Sequence, residues 1–148
     1  MTDDQILSRM MTLCSRREYC KSDIAAKIAA LSPEADAEAL IRRLCDEKFI
    51  DESRYAAAYV RDKSNLSGWG EAKIRYALQK KGIDKQTIAE SMGQIDTERQ
   101  KERLEKMMRA KAQTLKAASP EERRAKLLRF AVSRGYPYPL ADEICRKL

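Results

Sequence analysis

Between Phe49 and Ile83 the chain holds one complete copy of a helical unit that recurs more faintly on both sides, and this repetition limits the fold more than any other feature. Two helical patterns flank the turn Gly68-Trp69-Gly70, and Lys80-Lys81-Gly82-Ile83 ends the second. After Asp51, which can cap a helix, Tyr55, Ala58, Tyr59 and Leu66 recur at helical spacing, which predicts that they share a buried face. Gly70 falls where an N-cap belongs. Trp69 and Ile74 then occupy the two positions of a hydrophobic staple, so Trp69 is expected to pack on Ile74 and set the chain's entry angle. Ile74, Ala77, Leu78 and the stem of Lys81 form one stripe, and Gly82 lies where the backbone can turn left-handed and close the helix, folding Ile83 back onto Leu78.

The copy before it opens with Ile6, Met10, Leu13 and Cys14 behind a cap at Asp3 or Asp4. With Cys20 aligned to Gly70, Tyr19 and Ile24 repeat the staple, and Ile24, Ile28 and Leu31 line a second helix. That helix lacks a closing glycine and has two residues fewer before its end than its counterparts, so it is expected to be shorter and closed differently. Ser32-Pro33 reads as the start of a third helix carrying Leu40, Ile41, Leu44 and Cys45. In the middle copy the third helix opens at Asp84, with Ile88, Ala89 and Met92 as its face. Thr97-Glu98-Arg99-Gln100 fits a capping box for a helix that can run to Ala118, nearly twice the length of its counterparts, with Leu104, Met107, Met108, Ala112 and Leu115 on one side. Ser119-Pro120-Glu121-Glu122 starts the next, buried through Leu127, Phe130 and Ala131 and closed by Gly135 and Tyr136; a last helix carries Leu140, Ile144 and Leu148. The expected fold is all-α: a tandem array of three helix-turn-helix-like repeats of three helices each, at residues 1–50, 51–96 and 97–148, the third with a long first helix. Each unit buries little alone, so an elongated, stacked body is expected.

Composition agrees with helices: five glycines, four prolines, and charged residues at 36%. No apolar run reaches the length of a membrane span and the start is acidic, so no membrane association and a cytoplasmic address are expected. Without histidine or a C-x-x-C pair, Cys14, Cys20, Cys45 and Cys145 read as free thiols; neither a metal nor another cofactor is expected. No nucleophile–base pair, phosphate-cradling loop or dinucleotide loop stands out, so catalysis is not expected.

Charge is uneven. Residues 99–148 hold 14 basic and 6 acidic side chains, a net +8 out of a total of +7, which suits contact with a polyanion or an acidic protein face. On the helix after Gly70, Lys73, Tyr76 and Lys80 lie within about sixty degrees of one another at 100° per residue, away from Ile74 and Leu78. The third repeat aligns Lys126, Arg129 and Ser133 there, with Arg123 and Arg124 nearby and Arg134 as a further candidate contact, whereas the first has Asp23 and Ala26 and no cation. A phosphate-binding face would therefore belong to the second and third repeats. The same residues also fit a solvated surface whose lysine stems cover apolar neighbours.

The whole pattern of Ile50, Arg54-Tyr55-Ala56, Tyr59, Gly70-x-x-Lys73-Ile74 and Leu78-x-x-Lys81-Gly82-Ile83 resembles the signature of the RecX family, regulators of the RecA recombinase. Arg17-Glu18-Tyr19 with Ile24 and Lys27-Ile28 resembles the family's first repeat, and Lys126 to Phe130 with Arg134-Gly135-Tyr136 its third. The resemblance implies a non-enzymatic protein, expected to be a monomer, that lodges in the groove of the RecA–DNA filament and lowers its ATPase and strand-exchange activity, modulating recombination and the SOS response. It implies contact with single- or double-stranded DNA without sequence specificity. A stand-alone helix-turn-helix DNA-binding protein and a helical adaptor between proteins are the alternatives. Against the former, Glu71-Ala72-Lys73 at the start of the second helix offers little to read a base edge.

Overall fold

The computed structural model describes residues 1–148 as nine α-helices with no strand. The first three are α1 (Asp3–Arg16), α2 (Lys21–Leu31) and α3 (Ala37–Asp46). Next come α4 (Glu52–Asn65), α5 (Glu71–Lys80) and α6 (Lys85–Ser91), the last running into a 3-10 turn at Met92–Gln94. The chain finishes with α7 (Thr97–Thr114), α8 (Pro120–Ser133) and α9 (Tyr138–Cys145). A unit of three helices recurs along the chain.

Most helix starts follow from short polar residues that satisfy orphan amides. Asp51 accepts from the Arg54 amide at 3.0 Å, Asp84 from Thr87 at 2.8 Å and Ser119 from Glu122 at 3.1 Å, as the sequence predicts. Three starts differ. The first helix is capped by Thr2, whose hydroxyl and Gln5 form a capping box, rather than by Asp3 or Asp4. Ser32 and Pro33 belong to a turn, and α3 starts after Asp36, which accepts from Ala39 at 3.2 Å. The cap of α7 is Asp96, one residue before the expected Thr97, because a carboxylate there reaches both the Glu98 and Arg99 amides. That helix also stops at Thr114, where Leu115 turns extended, so at 18 residues it exceeds the 14-residue α1 and α4 only modestly.

Three further expectations change. The second helix of the first repeat is shorter than α8, with 11 residues against 14, but not than α5, which has 10; its end is closed differently, as expected, by the extended residue Ser32 with no left-handed position. Leu66 lies past the end of α4 and is 83% exposed; the buried face of that helix is Tyr55, Ala56, Val60 and Ser64. Ala89 is likewise exposed, and Ser91 takes its place beside Ile88.

The chain divides into two compact units. Unit 1 comprises Met1–Tyr59 with Leu78–Ser91, and unit 2 comprises Val60–Ala77 with Met92–Leu148, so the middle repeat contributes to both. The core of unit 1 includes Ile6, Met10, Ile24, Ile28, Leu44 and Ile50; that of unit 2 includes Leu104, Met108, Leu127, Ala131, Tyr136 and Ile144. Each of the buried Ile, Leu and Met side chains among them contributes about 1.5–3 kcal/mol of transfer free energy.

A comparable helix-end joint occurs in each unit. In unit 2, the amides of Gly70 and Ala72, at the start of α5, donate to the carbonyls of Arg134 and Gly135, past the end of α8, at 2.6 and 3.1 Å. Orphan donors of one helix thus meet orphan acceptors of another, and the positive end of one helix dipole faces the negative end of the other. Both glycines are needed for this approach, because a Cβ on Gly70 would stand 2.4 Å from the Gly135 carbonyl carbon. Tyr136 adds a buried hydroxyl bond of 2.8 Å to the Gly68 carbonyl. At the aligned positions of unit 1, Cys20 replaces Gly70 and side chains make the link: Ser22 donates to the Lys81 carbonyl at 2.8 Å, and the Lys81 ammonium meets Asp23 at 2.7 Å.

Candidate nucleic-acid interface

In the third repeat, the register of α8 places Lys126, Arg129 and Ser133 along one side, as the sequence alignment with Lys73, Tyr76 and Lys80 predicts. With Lys111 and Leu115 from the end of α7 and with Phe130, they line a single open hollow of about 350 Å³. The Phe130 ring is half-buried. The Arg134 guanidinium lies 4.8 Å from its centroid and the Lys111 ammonium 5.7 Å, both within reach of the ring's negative face. Two cations therefore lie over the ring, Lys126 and Arg129 line the same hollow, and no acidic residue lines it.

These cations are not equally available. The Lys126 ammonium donates to the Lys116 carbonyl at 2.9 Å and pairs with Glu122 at 3.1 Å. The Ala118 amide, followed by Lys126, holds the Glu122 carboxyl below its usual pKa, so this pair stays ionised near neutrality. Ser133 is exposed and donates back to the Phe130 carbonyl of its own helix at 2.8 Å. Arg129 is exposed and Lys111 is half-buried.

The structure separates Arg123 and Arg124 from this group. Arg124 pairs with Asp142, which also meets Arg146 at 3.2 Å, and Asp142 raises the arginine's pKa. Arg123 lines two other hollows, of about 170 and 270 Å³, the larger shared with Arg109 and Lys147.

In the second repeat, Tyr76 is 59% exposed and Lys80 is exposed, while Lys73 turns its ammonium over Trp69, 4.5 Å from the ring centroid. Lys63 approaches the same ring at 4.7 Å. Trp69 is half-buried whereas Ile74 is fully buried. Gly82 and Gly135 adopt the left-handed conformations expected of them, at φ of 82° and 94°. The first repeat has its own aromatic–cation group, Tyr19 with Arg17 at 4.9 Å and Lys27 at 5.3 Å, at a register that alignment with Lys73 and Tyr76 does not reveal.

Lys111 is the site residue that sequence reasoning missed. Its signal was its place on α7, one turn before Leu115, where the apolar stripe of that helix turns toward α8. No set of three or more Cys, Asp or Glu side chains is arranged to hold a metal ion, and no helix is long and apolar enough to cross a membrane.

Two profiles of one family match the chain: RecX, second three-helix domain, over residues 51–92, and RecX, third three-helix domain, over residues 98–145. The chain is similar to the regulatory protein RecX of Clostridium botulinum, at 33% identity over 106 residues that make up 70% of this chain and 49% of that protein. The regulatory protein RecX of Thermus thermophilus is 28% identical over 96% of this chain and 91% of its own length. A crystal structure of a regulatory protein RecX superposes with a TM-score of 0.87 at 26% identity, covering 96% of this chain and 70% of that one. The chain spans about half the length of the clostridial relatives.

Proposed function

The chain belongs to the RecX family, and from that premise we propose that it is a non-enzymatic modulator that binds the RecA–DNA filament and lowers its ATPase and strand-exchange activity, acting in recombination and the SOS response. The observation that carries this reading is the concentration of cations in the third repeat, where Lys111 and Arg134 lie over Phe130 and Lys126 and Arg129 line the same hollow without an acidic side chain. Such a surface suits phosphate groups along a strand and offers no side-chain pair shaped for one base edge, so contact with DNA independent of sequence is the reading it favours. Lys73, Tyr76 and Lys80 of the second repeat, and Arg123 and Arg124 beside α9, are assigned lesser roles in the same contact. Lys73 is already drawn onto Trp69, and Arg124 is paired with Asp142. The near-neutral first repeat is assigned to protein contact.

The test adds the purified protein to RecA hydrolysing ATP on single-stranded DNA, with DNA binding by the protein alone measured beside it. The expected result is slowed hydrolysis at protein levels too low to coat the DNA, with inhibition weakened, and its salt dependence flattened, in the triple variant Lys126→Ala, Arg129→Ala, Arg134→Ala. Unchanged inhibition by that variant would remove the cluster from the account. Tight binding to one duplex sequence with no effect on RecA would favour the stand-alone DNA-binding alternative, and neither effect the adaptor.

A further inference from the structure

The hollow beside Phe130 has features that a merely basic surface does not need. Its lining combines two apolar side chains, Phe130 and Leu115, with three cationic ones, Lys111, Lys126 and Arg129. Arg134 lies over the ring but does not line the hollow, whereas Phe130 does, with the Lys111 ammonium 5.7 Å from its centroid. Phosphates of a duplex backbone need cations and gain nothing from an aromatic side chain. An unstacked base gains a stacking partner there, since every base has a π-face and aromatic side chains accept them with little regard to identity. The volume of about 350 Å³ falls in the range of small-ligand pockets and holds one nucleotide rather than a run of them.

We propose that this hollow is a subsite for one nucleotide unit of a single strand, its base against the Phe130 ring and its phosphate between Lys111 and Arg129. The inference rests on the reading that the third repeat meets nucleic acid. Lys126 is committed to Glu122 and the Lys116 carbonyl, so it adds charge without being the chief phosphate ligand. The Ser133 hydroxyl is engaged by the Phe130 carbonyl and no carboxamide or carboxylate lines the hollow, so the donors able to read a base edge are the cations Lys111, Lys126 and Arg129, which are assigned to the phosphate and to Glu122. The subsite therefore distinguishes strands that carry accessible bases from those that do not, and is indifferent to which base it holds.

The experiment compares binding of the full chain to a short oligothymidylate and to an abasic strand of the same length, by fluorescence anisotropy across a salt series. The wild type is expected to prefer the thymidylate strand. F130L, which keeps an apolar side chain in place, is expected to lose that preference, with affinity for thymidylate reduced about fivefold or more and its salt slope kept. The double variant K111A/R129A is expected to bind both strands more weakly, with a slope smaller by about one. Equal affinity of the wild type for the two strands, or an undiminished preference in a folded F130L, overturns the proposal. Should F130L fail to fold, the wild type decides alone: the Leu115 methyl resonances are expected to shift with thymidylate and not with inorganic phosphate, and unmoved resonances overturn it. Competition by free thymidine monophosphate as strong per nucleotide as by the strand would assign the hollow to a free nucleotide and overturn the strand assignment. Inhibition of RecA by the wild type is read separately. Its absence removes the filament reading, whereas inhibition together with equal affinity for the two strands removes only the subsite.

Discussion

Replacing three of the five glycines, one at a time, by alanine separates three physical effects that the sequence alone does not distinguish. At Gly70 an added Cβ would lie 2.4 Å from the Gly135 carbonyl carbon, 2.5 Å from its oxygen and 2.6 Å from the Tyr136 nitrogen, all backbone atoms. Ordinary contact begins near 3.4 Å, so α5 and the end of α8 must part by about 1 Å. That displacement breaks or strains the bonds from Gly70 to Arg134 at 2.6 Å and from Ala72 to Gly135 at 3.1 Å. Two lost bonds cost about 1 kcal/mol each, more if the groups stay buried without water, and overpacking adds about 1–3 kcal/mol. A gain of about 0.4–1 kcal/mol from the stiffer unfolded chain offsets part of this, leaving a net loss of about 3 kcal/mol.

Gly82 and Gly93 supply the internal standards. A Cβ at Gly82 meets nothing within 4 Å, but its φ of 82° is left-handed, so Gly82→Ala should cost only the local strain of about 1 kcal/mol. Gly93 has open space and no such conformation, and Gly93→Ala should be neutral or slightly stabilising. Urea unfolding followed by far-ultraviolet circular dichroism and by Trp69 fluorescence reads all three. With a slope of about 1–3 kcal/mol per molar, the Gly70→Ala midpoint should fall by about 1–3 M. A Gly70→Ala loss no larger than that of Gly82→Ala would refute the reasoning, because it would mean that the joint opens without cost.

Two other perturbations probe unit 1. Burial alone would raise the Asp23 carboxyl, but the Lys81 ammonium and the Cys20 thiol outweigh it and hold its pKa below the usual range. A depressed folded-state pKa stabilises above the unfolded value of about 3.9, and that stability fades as pH falls through the lower folded value. Asp23→Asn should therefore lower the melting temperature near pH 7 and narrow the gap to wild type in strong acid; an equal gap at both would refute the linkage. Lys48 is the one non-glycine residue with a left-handed backbone, at φ 65°, where it closes α3 while its carbonyl accepts from Arg54 at 3.1 Å. Lys48→Gly should stabilise by about 0.5–1 kcal/mol and raise the melting temperature by about 1–4 °C, and a lower temperature would show that the lysine side chain contributes more than its backbone costs.

What the sequence made legible was local. Asp51, Asp84 and Ser119 announce helix starts because each needs only its own side chain and an amide three residues on. Gly82 and Gly135 announce ends because the left-handed turn is decided within a few residues. The errors lie where two local signals compete. Asp96 outbids Thr97, and Asp36 displaces Ser32, because a carboxylate is the stronger acceptor and the chain between has room for a turn. Leu66 misleads because its spacing continues a pattern past the end of α4 at Asn65, where periodicity no longer implies a face.

The joints and the site were legible only in part, for one physical reason. Lys126, Arg129 and Ser133 were found together because they share one helix, whose period is known in advance. Lys111 comes from another helix and reaches Phe130 only because α7 packs beside α8. The two aligned joints make the same point more sharply: Gly70 and Gly135 each had a sufficient local explanation, as a cap and as a helix end, and that sufficiency concealed their contact. Cys20 and Ser22 in the other joint show what the glycines are for. Where the first position carries a side chain, hydroxyl and ammonium groups make the link; where both positions are bare, the backbones themselves bond. A glycine that already explains itself locally is thus the residue at which a sequence reading is most prone to stop one partner short.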